Sequence, residues 1–303
     1  MLRCMFGLSL TYDRRYNVFF TIHGEGGAGK STMLNVLASL CTETTCGISL
    51  SLFGERFQMY PLTQNRLNLI PDMDSIFDGI GSVAKREAAL KTCTSGEKQQ
   101  VERKYKDTEY RYLCALSVFG CNSLPRFGDR SQAISDRMRI ISFPNVFRGT
   151  EKHDTLLGNK LRAELPGILI WALKGYGELL VSGSPTFPET EHSLALKRDA
   201  IKVSRPEELF CDEYLEKIVP NALPPTENVL LPTVEVYRRY KIYCEERGYK
   251  AAGENRVIPE IAKYLGVEKA RKSTCEGQKM CLVGARFVDE PVIAVKAPEL
   301  SSS

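Results

Sequence analysis

The sequence has few histidines, and its cysteines are not arranged as metal ligands. Three histidines lie far apart in 303 residues, and none of the ten cysteines belongs to a C-x-x-C pair. A structural zinc site needs closely spaced cysteine and histidine ligands, so this spacing excludes a zinc module. The first residues do not form a secretion signal, so we interpret the cysteines as reduced and mostly buried small side chains.

Long apolar runs are also absent. No run reaches 18 residues, so we expect no segment that spans a membrane. The hydrophobic share of 43% and the charged share of 26% are typical of a globular protein and exclude wholesale disorder. At 303 residues the chain has room for one full core and a smaller module, and its net charge of +4 is compatible with a nucleic-acid partner.

A glycine-rich stretch lies between a predicted strand and a predicted helix. Residues 18–22 are β-branched and aromatic, and residues 33–37 are typical of the start of a helix. Between them, Gly24-Glu25-Gly26-Gly27-Ala28-Gly29-Lys30-Ser31 matches the G-x-x-x-x-G-K-S/T phosphate-binding loop in full. The alternative is a glycine-rich turn that binds nothing, but the strand before it and the helix after it favour the phosphate loop.

The loop predicts a site for ATP and Mg²⁺. Backbone amides and the N-terminus of the helix would bind a triphosphate, with Lys30 on the terminal phosphates and the Ser31 hydroxyl on Mg²⁺. The predicted nucleotide-binding residues are Gly24, Gly26, Gly27, Ala28, Gly29, Lys30, Ser31 and Thr32.

Acids follow a predicted strand at residues 65–70, after an alternating stretch, Ile48 to Leu52, that predicts another strand. We assign Asp72 to Mg²⁺ and Asp74 to the attacking water, because acids at a neighbouring strand end do this work beside a phosphate loop. An aspartate after a strand is also common in ordinary turns.

Asn122 follows the buried strand predicted at residues 113–120. From there it can hydrogen-bond the γ-phosphate or the attacking water, although asparagine is also a common turn residue. The arginines that precede the predicted strand at residues 140–144 are either solvated or fingers that reach a neighbouring subunit's nucleotide.

Residues 97–107 are dense in charge of both signs. This predicts a solvated hairpin or helix. Alternatively, Arg103, Lys104 and Lys106, with Tyr105 between them, would suit a loop that grips a nucleic-acid backbone.

The remaining chain contains a predicted core helix at residues 161–180, with Trp171 packed inside, and a proline-rich linker at residues 220–226. Two helices, at residues 233–247 and 254–265, and a basic hairpin follow, which suggests a winged helix-turn-helix. Its predicted DNA-binding residues are Lys263, Lys269, Arg271 and Lys272. The alternative is a small protein-interaction module.

These motifs in this order resemble a superfamily 3 helicase, closest to the helicase part of the phage and plasmid primase-helicases, which are related to the poxvirus enzyme. The resemblance covers most of residues 16–185, and residues 228–290 are more loosely similar to the family's closing winged helix. It implies an α/β fold: an AAA+-like P-loop NTPase core with a parallel sheet and a small C-terminal winged helix-turn-helix domain. The implied divisions are an ATPase domain at 1–195, a helical segment and linker at 196–227, a winged helix at 228–292 and a tail at 293–303.

The resemblance further implies a homo-oligomeric ring, a hexamer, with ATP at subunit interfaces and single-stranded DNA from a fork through its centre. Asn122 matches the polar sensor, Lys104 and its neighbours match the pore hairpin, and Arg137 best matches the second arginine of the family's usual pair, one of which is the finger. Asp136 stands where a first arginine is usual, which leaves Arg130 and Arg139 as rivals. Pro71 stands where an acid is common, which weakens the assignment of a water-orienting acid.

The expected function is an ATP-driven DNA helicase or translocase, moving 3′ to 5′, in the replication of a mobile element. We therefore expect it in the cytoplasm of a bacterial cell or infected host. A primase is a candidate partner, but the family's primase domain has no match in the sequence, so we expect no primase activity. One alternative is a replication initiator that uses ATP only for assembly on origin DNA, and a less favoured one is a small-molecule kinase.

Overall fold

The computed structural model describes residues 1–73, 82–125, 127, 132–203, 205–218, 229–247, 249, 251–274 and 277–288. The chain divides into two compact units, Met1–Ile201 and Lys202–Ser303. Asp74, Arg130, Gly248, the predicted linker at 220–226 and the tail at 293–303 lie outside the described residues.

A parallel sheet forms the centre of the first unit. The strands of this unit are β1 (Phe19–Gly24), β2 (Thr45–Cys46), β3 (Leu67–Ile70), β4 (Lys98–Val101), β5 (Glu109–Tyr112), β6 (Leu116–Cys121) and β7 (Met138–Phe143). Five of them form the sheet in the order β2-β3-β6-β1-β7, and β4 pairs with β5 as an antiparallel hairpin. The predicted α/β class and parallel sheet are therefore confirmed.

Helices cover both faces of this sheet. They are α1 (Leu2–Ser9), α2 (Lys30–Leu40), α3 (Val83–Ser95), α4 (Ala133–Arg137), α5 (Leu157–Ala163), α6 (Leu165–Ser182) and α7 (Glu191–Val203). Because side chains alternate along β1, Phe20 packs in one apolar cluster with α1, α2 and α6, while Phe19 packs in the other with α3. Burial on both faces explains why β1 reads as a continuous apolar run.

The packing of α1 on α6 depends on glycine. A Cβ atom at Gly7 would lie 2.4 Å from the Ala172 carbonyl oxygen, and one at Gly175 would lie 2.4 Å from that of Arg3. The two backbones therefore approach more closely than any side chain allows. Trp171 contacts Phe6 edge to face at 5.5 Å but remains 36% exposed, so the prediction that it is a core residue is wrong.

The strand predicted from Ile48 to Leu52 is also wrong. The chain there forms a 3-10 helix over Leu50–Leu52, and the edge strand is Thr45–Cys46. The buried Asn68 side chain accepts from the Ile48 amide at 2.7 Å and donates to the Ile48 carbonyl at 3.1 Å. These are the backbone groups that would pair with a neighbouring strand. Ser49 then caps the 3-10 turn through the Ser51 amide.

The second unit has its own aromatic core, which includes Phe210, Tyr240 and Tyr243. Its elements are α8 (Pro206–Tyr214), β8 (Leu215–Lys217), β9 (Leu230–Pro232), α9 (Thr233–Glu246), α10 (Glu254–Leu265), β10 (Glu268–Thr274), β11 (Gly277–Val283) and β12 (Ala285–Phe287). Strands β10, β11 and β9 form an antiparallel sheet, and β12 pairs with β8. The two predicted helices and the hairpin are present.

Membrane insertion is not indicated by any helix that the structure describes. The longest, α6, has 18 residues, and no helix among the described residues combines the length and apolarity that crossing a bilayer requires.

Candidate functional site

The glycine loop connects β1 to α2 at the carboxyl edge of the sheet. Gly27 and Gly29 have φ angles of 89° and 96°, in the left-handed region that favours glycine. Helix α2 then begins at Lys30, and the Met33 amide donates to the Gly29 carbonyl at 3.1 Å. The free amides of this first turn and its positive dipole end favour an anion beside the loop.

Lys30 is held inside this loop. Its side chain is almost buried, with the residue 8% exposed. Nζ donates to the carbonyl oxygens of Gly24 and Glu25, at 2.5 and 3.0 Å, and to Asn122 Oδ1 at 2.8 Å. An ammonium group has three donors, so these contacts use all of them. An incoming phosphate must therefore replace at least one of these partners.

Asn122 reaches Lys30 because β6 lies directly beside β1, with Cys121 opposite His23. The sequence assignment of Asn122 to this edge is consistent with that register. His23, the partner of Cys121 on β1, has its pKa lowered by burial. Its imidazole is therefore neutral at pH 7 next to the Lys30 charge.

Asp72 comes to the same edge through a close contact between β3 and β6. The Met73 amide donates to the Gly120 carbonyl at 2.8 Å, and a Cβ atom at Gly120 would lie 2.1 Å from the Pro71 carbonyl oxygen. Only glycine allows this approach. It brings Asp72 and Asn122 to one cavity, whose volume is about 560 Å³.

The predicted nucleotide-binding residues divide between three positions. Gly24 supplies a carbonyl to Lys30, and Ala28 lines a neighbouring apolar cavity. The other six line the cavity of about 560 Å³, which we call the phosphate cavity after its predicted ligand: Gly26, Gly27, Gly29, Lys30, Ser31 and Thr32. Asp72 and Asn122 line it too. A hydroxyl and a carboxylate there match the hard oxygen ligands that Mg²⁺ prefers, so Ser31 and Asp72 fit the predicted metal.

One wall of the cavity was missed by the sequence analysis. The segment after β7 packs on the loop, where the Phe147 and Arg148 amides donate to the Gly27 carbonyl at 3.1 and 3.4 Å. It contributes Arg148, Lys152, His153 and Asp154 to the lining. The only sequence signal was the charged stretch after the predicted strand at residues 140–144, and that stretch matches no motif.

Asp154 on this wall is itself paired. Lys160 Nζ donates to its carboxylate at 2.6 Å and lowers the pKa of Asp154. The carboxylate therefore stays ionised and neutralised by its own lysine, and Arg148 and Lys152 remain as the cations of this wall.

The three candidate finger arginines differ in accessibility. Arg139 is 7% exposed, and it lies 3.5 Å from Glu189 in a buried network with Lys197, so it has a structural role within its own chain. Arg137 is half-buried at the end of α4, with Nη1 donating to the Ala133 carbonyl at 2.7 Å. It does not line the cavity of its own chain among the described residues. Arg130 lies outside them.

The β4–β5 hairpin carries the charged stretch, so the predicted hairpin is confirmed. Its tip exposes Tyr105 by 99%, in a left-handed conformation with φ of 62°. Arg103 stacks on the ring of Tyr60 at 4.4 Å, whereas Lys104 and Lys106 are exposed and form no ion pair with any described residue. The tip therefore presents an aromatic ring between two exposed cations.

The second unit presents its own basic surface. All four predicted DNA-binding residues there are exposed: Lys263, Lys269, Arg271 and Lys272. Lys269 and Arg271 stand on one face of β10 because residues two apart in a strand share a face.

Two solved structures with TM-scores above 0.5 support the fold. Residues 22–138, which include the glycine loop, match a family of unknown function (DUF5906). The apo structure of the NrS-1 C-terminal region is 14% identical, with a TM-score of 0.53 over 94% of this chain and 70% of that chain. Its A form has a TM-score of 0.51 at 14% identity over 93% and 71% of the two chains. A JCV helicase structure has a TM-score of 0.31 and is 14% identical, over 68% of this chain and 60% of that chain.

Proposed function

We propose that the chain is an ATP-dependent DNA helicase or translocase that serves the replication of a phage, a plasmid or another mobile element. One observation carries this proposal: Lys30, Asp72 and Asn122 converge on a single cavity at the edge of a parallel sheet. A lysine, an acid and a polar side chain around a glycine loop are the parts that hydrolysis of a nucleoside triphosphate requires.

Each residue has a separate task in this proposal. Ser31 and Asp72 would hold Mg²⁺, and a bound Mg²⁺ would supply positive charge beside the terminal phosphate oxygens. Lys30 exchanges its Asn122 contact for a phosphate oxygen, and the amide of Asn122 is then free to orient the attacking water or the γ-phosphate. Arg148 and Lys152 add positive charge from the opposite wall.

We further propose that Arg137 acts on the nucleotide of an adjacent subunit in a hexameric ring. It is the one described candidate left once Arg139 is occupied by Glu189. Lys30→Ala subunits mixed with Arg137→Ala subunits should recover part of the ATPase rate. An interface is intact where the Arg137→Ala subunit supplies Lys30 and the Lys30→Ala subunit supplies Arg137. No recovery from mixed rings of verified mass would contradict the assignment.

The β4–β5 hairpin is the proposed contact with single-stranded DNA. Free lysines at the tip suit the phosphate backbone, and the exposed tyrosine suits stacking on a base. Movement in the 3′ to 5′ direction, and a primase as a partner, come from the family resemblance and remain part of the proposal.

A replication initiator is the second candidate, and the exposed basic strand β10 favours it. In that case the second unit is a winged helix that binds origin duplex through Lys263, Lys269, Arg271 and Lys272. Displacement of a strand from a random-sequence fork, with ATP and dependent on Lys30, supports the helicase. Tight binding of one duplex sequence without strand displacement supports the initiator instead.

A further inference from the structure

A second cavity, of about 400 Å³, adjoins the phosphate cavity. Gly29, Thr32, Phe147 and Leu157 line both cavities. The second cavity extends from the loop along α2, where Val36 lines it, toward α1 and α6, where Phe6 and Trp171 form part of its wall. Its volume lies within the range of about 300 to 1,000 Å³ that small-molecule sites occupy.

The lining of this second cavity is apolar. Almost no polar atom faces it among the described residues, and Thr32 supplies the only side-chain hydroxyl of the described wall. Phe147, Leu157 and Trp171 lie along it and remain 39%, 41% and 36% exposed. Large apolar side chains left partly in water around a concave wall gain from a planar apolar ligand that covers them.

We infer that this cavity binds the nucleobase of the nucleoside triphosphate whose phosphates lie on the glycine loop. The inference rests on the proposed function of that loop. Continuity supports it, because Gly29 and Thr32 belong to the loop and to the wall of the base cavity at once. The indole of Trp171, held edge to face by Phe6, offers an aromatic surface for the base.

The lining also defines the class of substrate. A site that reads a base through buried hydrogen bonds rejects the wrong base by four or more orders of magnitude. An apolar wall recognises the size and flat shape of a purine ring instead. ATP and GTP should therefore bind with dissociation constants within about tenfold of each other.

Trp171 makes the inference directly testable, because it is the only tryptophan in the chain. We would titrate the wild-type protein with Mg²⁺ and ATP, GTP or inorganic tripolyphosphate, and record both tryptophan emission and the heat of binding. ATP and GTP should change the emission. Tripolyphosphate should compete with both nucleotides and leave the emission unchanged, because it fills the phosphate cavity alone.

A variant pair gives an independent test by calorimetry. Trp171→Ala should weaken ATP binding about tenfold through lost stacking and leave tripolyphosphate binding within twofold. Leu173→Ala, an exposed apolar residue of the same helix outside the cavity wall, should change neither.

The outcomes separate the inference from the proposed function. Binding of ATP that depends on Lys30, with unchanged tryptophan emission or a preference of a thousandfold for one purine, overturns the base site and leaves the proposed function standing. No heat of binding with any triphosphate overturns both.

Discussion

The phosphate cavity and the tip of the β4–β5 hairpin both depend on lysines, yet the two regions use them in opposite ways. Lys30 is nearly buried, and its three donors already have partners at 2.5 to 3.0 Å. Lys104 and Lys106 are exposed and pair with no described residue. A buried and fully paired charge is fixed in one geometry, whereas an exposed charge keeps its water and its freedom.

The contrast teaches what each region can do. The cavity side chains are held in fixed contacts, so under the proposed function a single change there should remove most of the ATPase activity. The proposed contact at the hairpin tip uses charge and stacking without fixed geometry, so changes there should have graded effects that depend on salt.

The largest effect is expected from Lys30→Ala. It removes the one cation built into the loop and leaves the carbonyls of Gly24 and Glu25 without their donor. Loss of one preorganised charge-stabilising group typically costs about a hundredfold or more in rate. We expect the ATPase rate, measured as phosphate release, to fall at least that far. The exposed Lys174→Ala is the control, and a similar loss there would show that the effect is not local.

The next largest effect is expected at Gly120, where a substitution tests the close contact between the end of β3 and β6. Gly120→Ala places a Cβ atom 2.1 Å from the Pro71 carbonyl oxygen, so the end of β3 must move. We expect the free energy of unfolding to fall by about 1 to 3 kcal/mol, the usual cost of overpacking. Nucleotide affinity should fall too, because Asp72 follows Pro71.

Gly177→Ala is the matched control for this change, because a Cβ atom there meets nothing within 4 Å. Since Gly177 lies inside α6, alanine should raise the free energy of unfolding by about 0.5 to 1 kcal/mol. Equal denaturation midpoints for the two variants would contradict the close packing between β3 and β6.

These glycines also show how much of the site the sequence predicts. The phosphate loop is a local motif, and its strand and helix follow from adjacent residues. Asn122 lies beside Lys30 because it directly follows β6, the strand that pairs with β1. The sequence predicts this from the apolar strand that ends just before Asn122. By contrast, the role of Gly120 depends on a contact with Pro71, 49 positions earlier, and nothing in the local sequence signals it.

The failures of the sequence analysis have a similar cause. Alternation from Ile48 to Leu52 predicts a strand, but the buried Asn68 takes the backbone groups that a strand would use. The segment from Phe147 to Asp154 has no motif of its own. It joins the cavity because the Gly27 carbonyl accepts its amides.

At the hairpin, the double variant Lys104→Ala, Lys106→Ala should weaken single-stranded DNA binding without changing the basal ATPase rate. Two lost phosphate contacts reduce the slope of log affinity against log salt by about 1.4, and lower affinity about tenfold at 0.15 M salt. Fluorescence anisotropy at several salt concentrations measures both. Arg162→Ala, Lys174→Ala removes the same charge from α5 and α6 and should leave the slope unchanged.

The smallest effect is expected at Tyr105. Tyr105→Ala should lower affinity for single-stranded DNA about fivefold, near the lower end for loss of one stacked base, with the salt slope unchanged. Tyr105→Phe keeps the ring and should bind like the wild type. A phenylalanine variant as weak as the alanine variant would mean that the hydroxyl, not the ring, makes the contact.

We propose that one cavity hydrolyses ATP and that single-stranded DNA bound at the hairpin stimulates the hydrolysis. The most direct test is the ATPase rate with and without single-stranded DNA, for wild type and Lys30→Ala, with the particle mass recorded in the same buffer. We expect a ring whose ATPase rate rises with DNA and disappears in the Lys30→Ala variant. Hydrolysis indifferent to DNA, or a monomer that binds ATP without turnover, would contradict it.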